Sequence, residues 1–223
     1  MSQRIGVPKT VDMRIGINQL GGGQWTGGIT YRKNILEALK LLKEKPDICL
    51  IAQDDSLNER GLEVIDPTPY ATRVRSNLSR ITKKAFGRDL VLGRLANDHH
   101  IDVVFPCAWS IGRSIGHVYW IPDFQFMHLP HLYGEAQLAL NGQKLRAYFK
   151  HAPLIVVSSE DAQKDFKAFS PEYLNKTRVM RFVAHVPEHL YELDVDQARL
   201  RYHLPDEFIY LPNQFWAHKN HGI

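Results

Sequence analysis

The chain has few cysteines and no long apolar segment. Only two of its 223 residues are cysteines. Cys49 and Cys107 are far apart, and each lies in an apolar run, which predicts buried thiols in a reducing compartment rather than a disulfide or a metal site. No apolar run approaches the roughly 20 residues that span a bilayer. The first ten residues lack the apolar core of a secretory signal, so the sequence predicts a cytoplasmic protein.

An excess of acidic residues is also lacking. The net charge is +4 and the isoelectric point is about 9.0, a mild basic balance that permits an anionic ligand or a membrane surface and requires neither. Apolar residues make up 44% of the chain and charged residues 23%, as in soluble globular proteins. This length and composition suit one large α/β domain, and we expect no nucleic-acid partner.

Short β-rich runs alternate with helical patterns, and the chain contains no internal repeat. This alternation predicts a parallel, Rossmann-like α/β sheet. The predicted strands are residues 13–20, 47–52, 62–66, 101–106, 117–124, 153–159, 177–184 and 206–211. The predicted helices are residues 29–45, 74–86, 89–97, 135–149 and 195–203, with a further helix capped by Ser158 whose apolar face is Ala162, Phe166 and Phe169.

The helix at residues 74–86 is strongly basic. Val74, Leu78, Ile81 and Ala85 line one of its faces. Its charge comes from Arg73, Arg75, Arg80, Lys83 and Lys84. An ordinary solvated face is the simplest interpretation, and the alternative is a segment, residues 73–88, that contacts phosphates or anionic lipids at a membrane surface.

A glycine-rich loop separates the first predicted strand from the first predicted helix. Its glycines are Gly21, Gly22, Gly23, Gly27 and Gly28. Glycines allow close backbone approach, and the free N–H groups of a helix N-terminus suit a phosphate. A tight turn without a ligand would explain them equally well. The spacing is not G-x-G-x-x-G, which argues against a nicotinamide-dependent oxidoreductase.

Two further groups of polar residues follow predicted strands. Asp123, Gln125 and His128 come at the end of the strand at residues 117–124, where open α/β sheets bind ligands. Together they could orient a polyhydroxyl ligand, or Asp123 could merely cap a helix beside an exposed histidine. Lys219 follows the predicted strand at residues 206–211 and could meet a phosphate as a point charge.

Three segments together resemble the family 4 glycosyltransferases of the GT-B fold. They are "GGGQWTGGITYRKNILEAL", "WIPDFQFMHLP" with "IVVSSEDAQKDF", and "YLPNQFWAHKNH". The resemblance implies two Rossmann-like domains, the first binding the acceptor and the second a nucleotide-sugar, and sugar transfer with retention and without a metal or cofactor. It divides the chain into an acceptor-side domain at residues 12–186, a linker at 187–206 and a truncated start of the donor domain at 207–223.

The resemblance also implies roles for individual residues. The implied catalytic residues are Asp123 and His128. The implied donor phosphate ligands are Gly27, Gly28, Lys219 and Asn213. The implied acceptor ligands are Trp25 and Gln125. The acceptor would be a glycan or a lipid-linked sugar.

The sequence also departs from the family pattern. Many relatives have a His-Asp dipeptide where this chain has Pro122-Asp123, and the E-x7-E glutamates that hold the donor are absent. This departure favours the second hypothesis, a non-catalytic domain that binds a glycan or acceptor, or a partner subunit without a donor site.

Overall fold

The computed structural model describes residues 13–19, 26–53, 61–211 and 215–220. Its strands are β1 (Arg14–Asn18), β2 (Asp47–Ile51), β3 (Glu63–Ile65), β4 (Val103–Phe105), β5 (Gly116–Ile121), β6 (Leu154–Val157) and β7 (Thr177–Val179). Its α-helices are α1 (Thr26–Lys40), α2 (Arg73–Phe86), α3 (Leu90–Asp98), α4 (Gln125–His128), α5 (Glu135–His151), α6 (Glu160–Phe169) and α7 (Val195–Tyr202). Apart from the short helix α4, which the sequence did not predict, the elements through α6 occupy the regions that periodicity predicted, although β7 is five residues shorter than the strand predicted at residues 177–184.

The strands form one parallel sheet in the order β3-β2-β1-β4-β5-β6-β7. β1 lies between β2 and β4, with Gly16 opposite Cys49 on one side and Val104 on the other. The fold is a Rossmann-like α/β fold, as the sequence predicted. The strand order reverses between β1 and β4, and in such sheets this reversal opens a crevice at the carboxyl edge.

Helices cover both faces of the sheet, which is why its strands are almost uninterrupted apolar runs. In β6, Val156 packs in the same cluster as Tyr31 and Leu36 of α1. Its neighbours Ile155 and Val157 pack in the opposite cluster, with residues of α5 and α6. The alternation of side chains along the strand therefore builds a core on each face of the sheet.

The core on the α1 face is organised by aromatic rings. Tyr31 stacks on Trp120 with ring centroids 3.8 Å apart. Phe182, which follows β7, meets both rings edge-on. His185 then donates its backbone N–H to the Asn34 side chain of α1 at 3.0 Å. The segment after β7 therefore returns across this face and packs against α1.

Both cysteines are buried and unpaired by disulfides, as predicted. Cys49 and Cys107 belong to the core that α3 covers. Burial raises the pKa of Cys107 to about 12 and also raises the pKa of Cys49. The two residues act as small apolar core side chains.

The N-cap of α6 is Ser159, so the prediction of Ser158 is wrong by one residue. The Ser159 hydroxyl accepts the backbone N–H of Ala162 at 3.0 Å. Ser158 is buried and accepts a hydrogen bond from Trp120 Nε1 at 3.0 Å. Because β6 turns Ser158 inward towards the α1 face, only the next residue is free to cap the helix.

The predicted strand at residues 206–211 is also wrong. These residues form no strand, and Phe208 and Ile209 are 51% and 91% exposed. A strand requires a neighbour that satisfies its backbone groups, and the sheet ends at β7, so the apolar run alone is insufficient. The segment is poorly packed.

Burial of His117 predicts a loss of stability on mild acidification. Its Nε2 lies 3.3 Å from the carbonyl oxygen of His151, and burial lowers the pKa of His117. The pKa of His151 is also lowered, by burial and then by Lys150 and Lys176. Since the unfolded chain protonates these rings near their ordinary pKa of about 6.5, it binds more protons than the folded chain below that pH. The free energy of unfolding should therefore fall as pH drops below about 6.5.

Urea unfolding at pH 7.5 and pH 5.5 measures this effect. His117→Gln should shrink the difference in unfolding free energy between the two pH values. A difference unchanged from that of the wild-type chain would contradict the assignment to His117.

Candidate functional site

At the strand-order reversal, a hydrogen bond between polar groups joins the carboxyl ends of β1 and β4. Asn18 is the last residue of β1, and its side-chain amide donates to the carbonyl oxygen of Pro106, just after β4, at 3.2 Å. This hydrogen bond ties the two strand ends together. Such a reversal creates a crevice at the carboxyl edge of the sheet. Asn18 lies at this crevice, together with the segment that follows β4.

Helix α1 is the first helix after β1, and it begins at Thr26, eight positions after Asn18. Gly27 and Gly28 are its second and third residues, the first exposed and the second buried. The first turn contains no acidic residue, and the N–H groups there have no partner within the helix. This end of α1 is electrically suited to an anion. Trp25 lies outside the described residues.

Asp123 lines a cavity of about 260 Å³ between the carboxyl end of β5 and one face of α5. Its lining residues are Ile121, Asp123, Phe126, Asn141, Lys144, Leu145 and Tyr148. The sequence had not singled out the α5 residues. Asn141, Lys144, Leu145 and Tyr148 are spaced three, one and three positions apart, so they share one face of a helix. This spacing was the only feature of the sequence that could have pointed to them.

The cavity combines an apolar floor with four polar groups. A carboxylate, an amide, an ammonium and a phenol surround Ile121, Phe126 and Leu145. Tyr148 is held in place by Trp109 and Tyr119, whose ring centroids lie 4.9 and 5.3 Å from its own. A small number of polar groups beside an apolar surface is typical of small-ligand sites. This set contains both hydrogen-bond donors and acceptors, so it can bind the hydroxyl groups of a ligand.

The three polar residues after β5 are not brought to one place. Asp123 Oδ1 accepts the backbone N–H of Gln125 at 3.1 Å and so starts α4. Gln125 Oε1 accepts the Tyr133 hydroxyl at 3.0 Å. His128 does not line the cavity: its Nε2 lies 2.8 Å from Asp165 Oδ2 on α6. Asp123 and Gln125 thus share a loop, whereas His128 forms a separate exposed pair with Asp165.

A second cavity, of about 370 Å³, lies beneath α2 at the ends of β1 and β2. Asn18 and Ile51 line it from the sheet, and Ser79 and Lys83 line it from α2. Lys83 Nζ lies 2.7 Å from Asp89 Oδ2, and the Ser79 hydroxyl donates to Asp89 Oδ1 at 3.0 Å. The buried charges in this cavity are therefore neutralised by each other.

The expected diphosphate ligands of the C-terminal segment are only partly described. Lys219 is exposed and ends a single 3-10 turn, Ala217–Lys219. Asn213 lies outside the described residues. The pairing of Lys219 and Asn213 around a diphosphate remains a prediction.

Comparison with protein-family models and with curated proteins found no relative. No protein-family model matches the chain. No curated protein is significantly similar to it. The resemblance to family 4 glycosyltransferases therefore depends on the three quoted segments alone.

Proposed function

We propose that this chain is the acceptor-binding half of a retaining glycosyltransferase. It would move a sugar from a nucleotide-sugar donor to a glycan or lipid-linked acceptor. The observation that carries this proposal is the Asp123 cavity at the carboxyl end of β5, in a Rossmann-like sheet. The ordered motifs quoted above supply the reaction class.

The Asp123 cavity would bind the acceptor. In this proposal the sugar–phosphate bond breaks, the nucleoside diphosphate departs, and the acceptor hydroxyl attacks the sugar from the same face, which retention requires. Asp123 would accept a hydrogen bond from that hydroxyl and take its proton as the new bond forms. Asn141 and Lys144 would fix neighbouring hydroxyl groups, and the rings of Phe126 and Tyr148 would contact the apolar face of a sugar. Gln125 and Trp25 are further acceptor ligands in this proposal.

The donor diphosphate would lie at the N-terminus of α1. Gly27 and Gly28 let the phosphates approach the helix backbone, with Lys219 and Asn213 on the opposite side. The helix end and one lysine would offset the charge of the diphosphate, so the proposal needs no metal and no cofactor. His128, oriented by Asp165, would be the second catalytic residue, at the edge of the cleft.

The second candidate is a non-catalytic glycan-binding domain. It is favoured by the structural partners of both proposed catalytic groups: Asp123 accepts the backbone N–H of Gln125 just before α4, and His128 pairs with Asp165. Such a domain would use the same cavity, with Lys144 and Asn141 as its hydrogen-bonding groups.

Calorimetric titration of the native gene product with a panel of nucleotide-sugars separates the two candidates. Micromolar binding that weakens when UDP or GDP competes supports the transferase. Absence of binding to every nucleotide-sugar, together with binding to glycans, supports the glycan-binding domain and contradicts the transferase.

A further inference from the structure

Helix α2 turns its apolar face towards solvent. Val74, Leu78 and Ile81 are 77%, 49% and 62% exposed, and Ala85 continues the same stripe at the next turn. The face packed against the protein is polar, since its buried residue is Ser79. This orientation reverses the usual one, in which the apolar stripe of a surface helix faces the core.

Basic side chains border the apolar stripe. Arg73, Arg75 and Lys84 are all exposed there. Residues 67–88 contain no aspartate or glutamate. Two other cations of α2 lie towards its inner side: Lys83 pairs with Asp89, and Arg80 lines the cavity beneath the helix. The solvent-facing surface of α2 is therefore apolar along its centre and positive along its margins.

The helix is firmly fixed in this orientation. Thr72 caps its start by accepting the backbone N–H of Arg75, and Gly87 ends it with a left-handed conformation, φ 63°. On the inner side, Asp89 accepts the Ser79 hydroxyl and also caps α3. Rotation of α2 to bury its apolar stripe would break this buried hydrogen-bonding network, so the outward face is a stable feature of the fold.

We propose that α2 docks on an anionic membrane surface. Helices that lie in a bilayer interface have this arrangement, with an apolar face at the acyl boundary and Lys and Arg at the headgroups. Anionic lipids attract clustered cations at short range. A second copy of the chain is a poorer occupant, because it would bring the same cations against one another. No helix in the described part of the chain is long and apolar enough to cross a bilayer.

Docking through α2 would also position the carboxyl edge of the sheet. The 370 Å³ cavity lies beneath α2 at the ends of β1 and β2, so this part of the carboxyl edge would lie near the lipid surface. This geometry suits a lipid-linked acceptor. That last point rests on the proposed transferase function, whereas the docking itself does not.

Sedimentation with vesicles tests the proposal independently of any activity. The chain should pellet with vesicles containing phosphatidylglycerol at low salt, should pellet less at high salt, and should stay in solution with pure phosphatidylcholine vesicles. Arg75→Gln with Lys84→Gln should weaken binding about 30-fold, if each cation contributes as juxtamembrane cations typically do. Val74→Ser with Ile81→Ser should remove the binding that persists at high salt.

Lys43→Gln with Lys45→Gln is the matched control. It removes the same charge from another exposed surface and should change vesicle binding far less. Circular dichroism checks that each variant is folded. The proposal is overturned by absence of pelleting at low salt, by an equal loss in the control variant, or by dimers that Val74→Ser with Ile81→Ser disperses.

Discussion

Asp123→Ala is expected to lower the turnover of the native gene product by about 100-fold or more, the usual range for a lost acid–base group. Asp123 is exposed at the mouth of the 260 Å³ cavity, where its carboxylate can reach a bound hydroxyl. Its one structural bond is to the backbone N–H of Gln125. Loss of such a local hydrogen bond typically costs about 1 kcal/mol, so the variant should still fold.

Asp123→Asn separates catalysis from structure. Its side-chain oxygen can still accept the Gln125 N–H, but the negative charge is gone. Turnover should fall nearly as far as in Asp123→Ala, while the free energy of unfolding stays close to that of the wild type. Wild-type turnover in both variants would remove Asp123 from the mechanism.

Phe149→Ala is expected to produce the largest loss of stability. Phe149 is completely buried, and its ring centroid lies 4.5 Å from that of Phe166 and 6.4 Å from that of Phe124. Removing a buried phenylalanine typically costs about 3–5 kcal/mol, because transfer energy is lost and a cavity remains. This is a large part of the roughly 5–15 kcal/mol that stabilises most domains.

Urea denaturation measures this loss. Phe86→Ala is a matched control, because the same atoms are removed from a side chain that is 73% exposed. It should change the free energy of unfolding by less than about 0.5 kcal/mol. Similar losses in the two variants would contradict the placement of Phe149 in the core.

The sheet could be predicted from the sequence because its central strands are largely buried on both faces. Such strands are short apolar runs, and residues 153–159 illustrate this pattern well. The helical stripe of Ala162, Phe166 and Phe169 was equally clear, and these residues do pack against the core. Local periodicity and burial agree in these elements, so the pattern was sufficient.

The orientation of α2 could not be predicted. An apolar stripe shows that a helix is amphipathic, but it does not show which face meets the protein. The deciding interactions are long-range: Ser79 and Lys83 both reach Asp89, which in turn caps α3. The strand predicted at residues 206–211 failed for a related reason, because periodicity does not reveal whether a neighbouring strand exists.

The candidate site was only half predictable. Asp123 could be found because it directly follows an apolar strand. Lys144 and Asn141 could not, since they lie within a helix and reach the cavity only through the rotation of α5 against β5. Sequence also grouped His128 with Asp123, whereas its partner is Asp165, 37 positions later.

Transfer of radiolabelled sugar by the native gene product is the most direct test of the central claim. The protein is incubated with labelled nucleotide-sugars and with the lipid and glycan fractions of its own cells. The account predicts that label enters one of these fractions, that the new bond keeps the anomeric configuration of the donor, and that Asp123→Asn abolishes most of the transfer. Absence of transfer from every donor, or a product of inverted configuration, would contradict it.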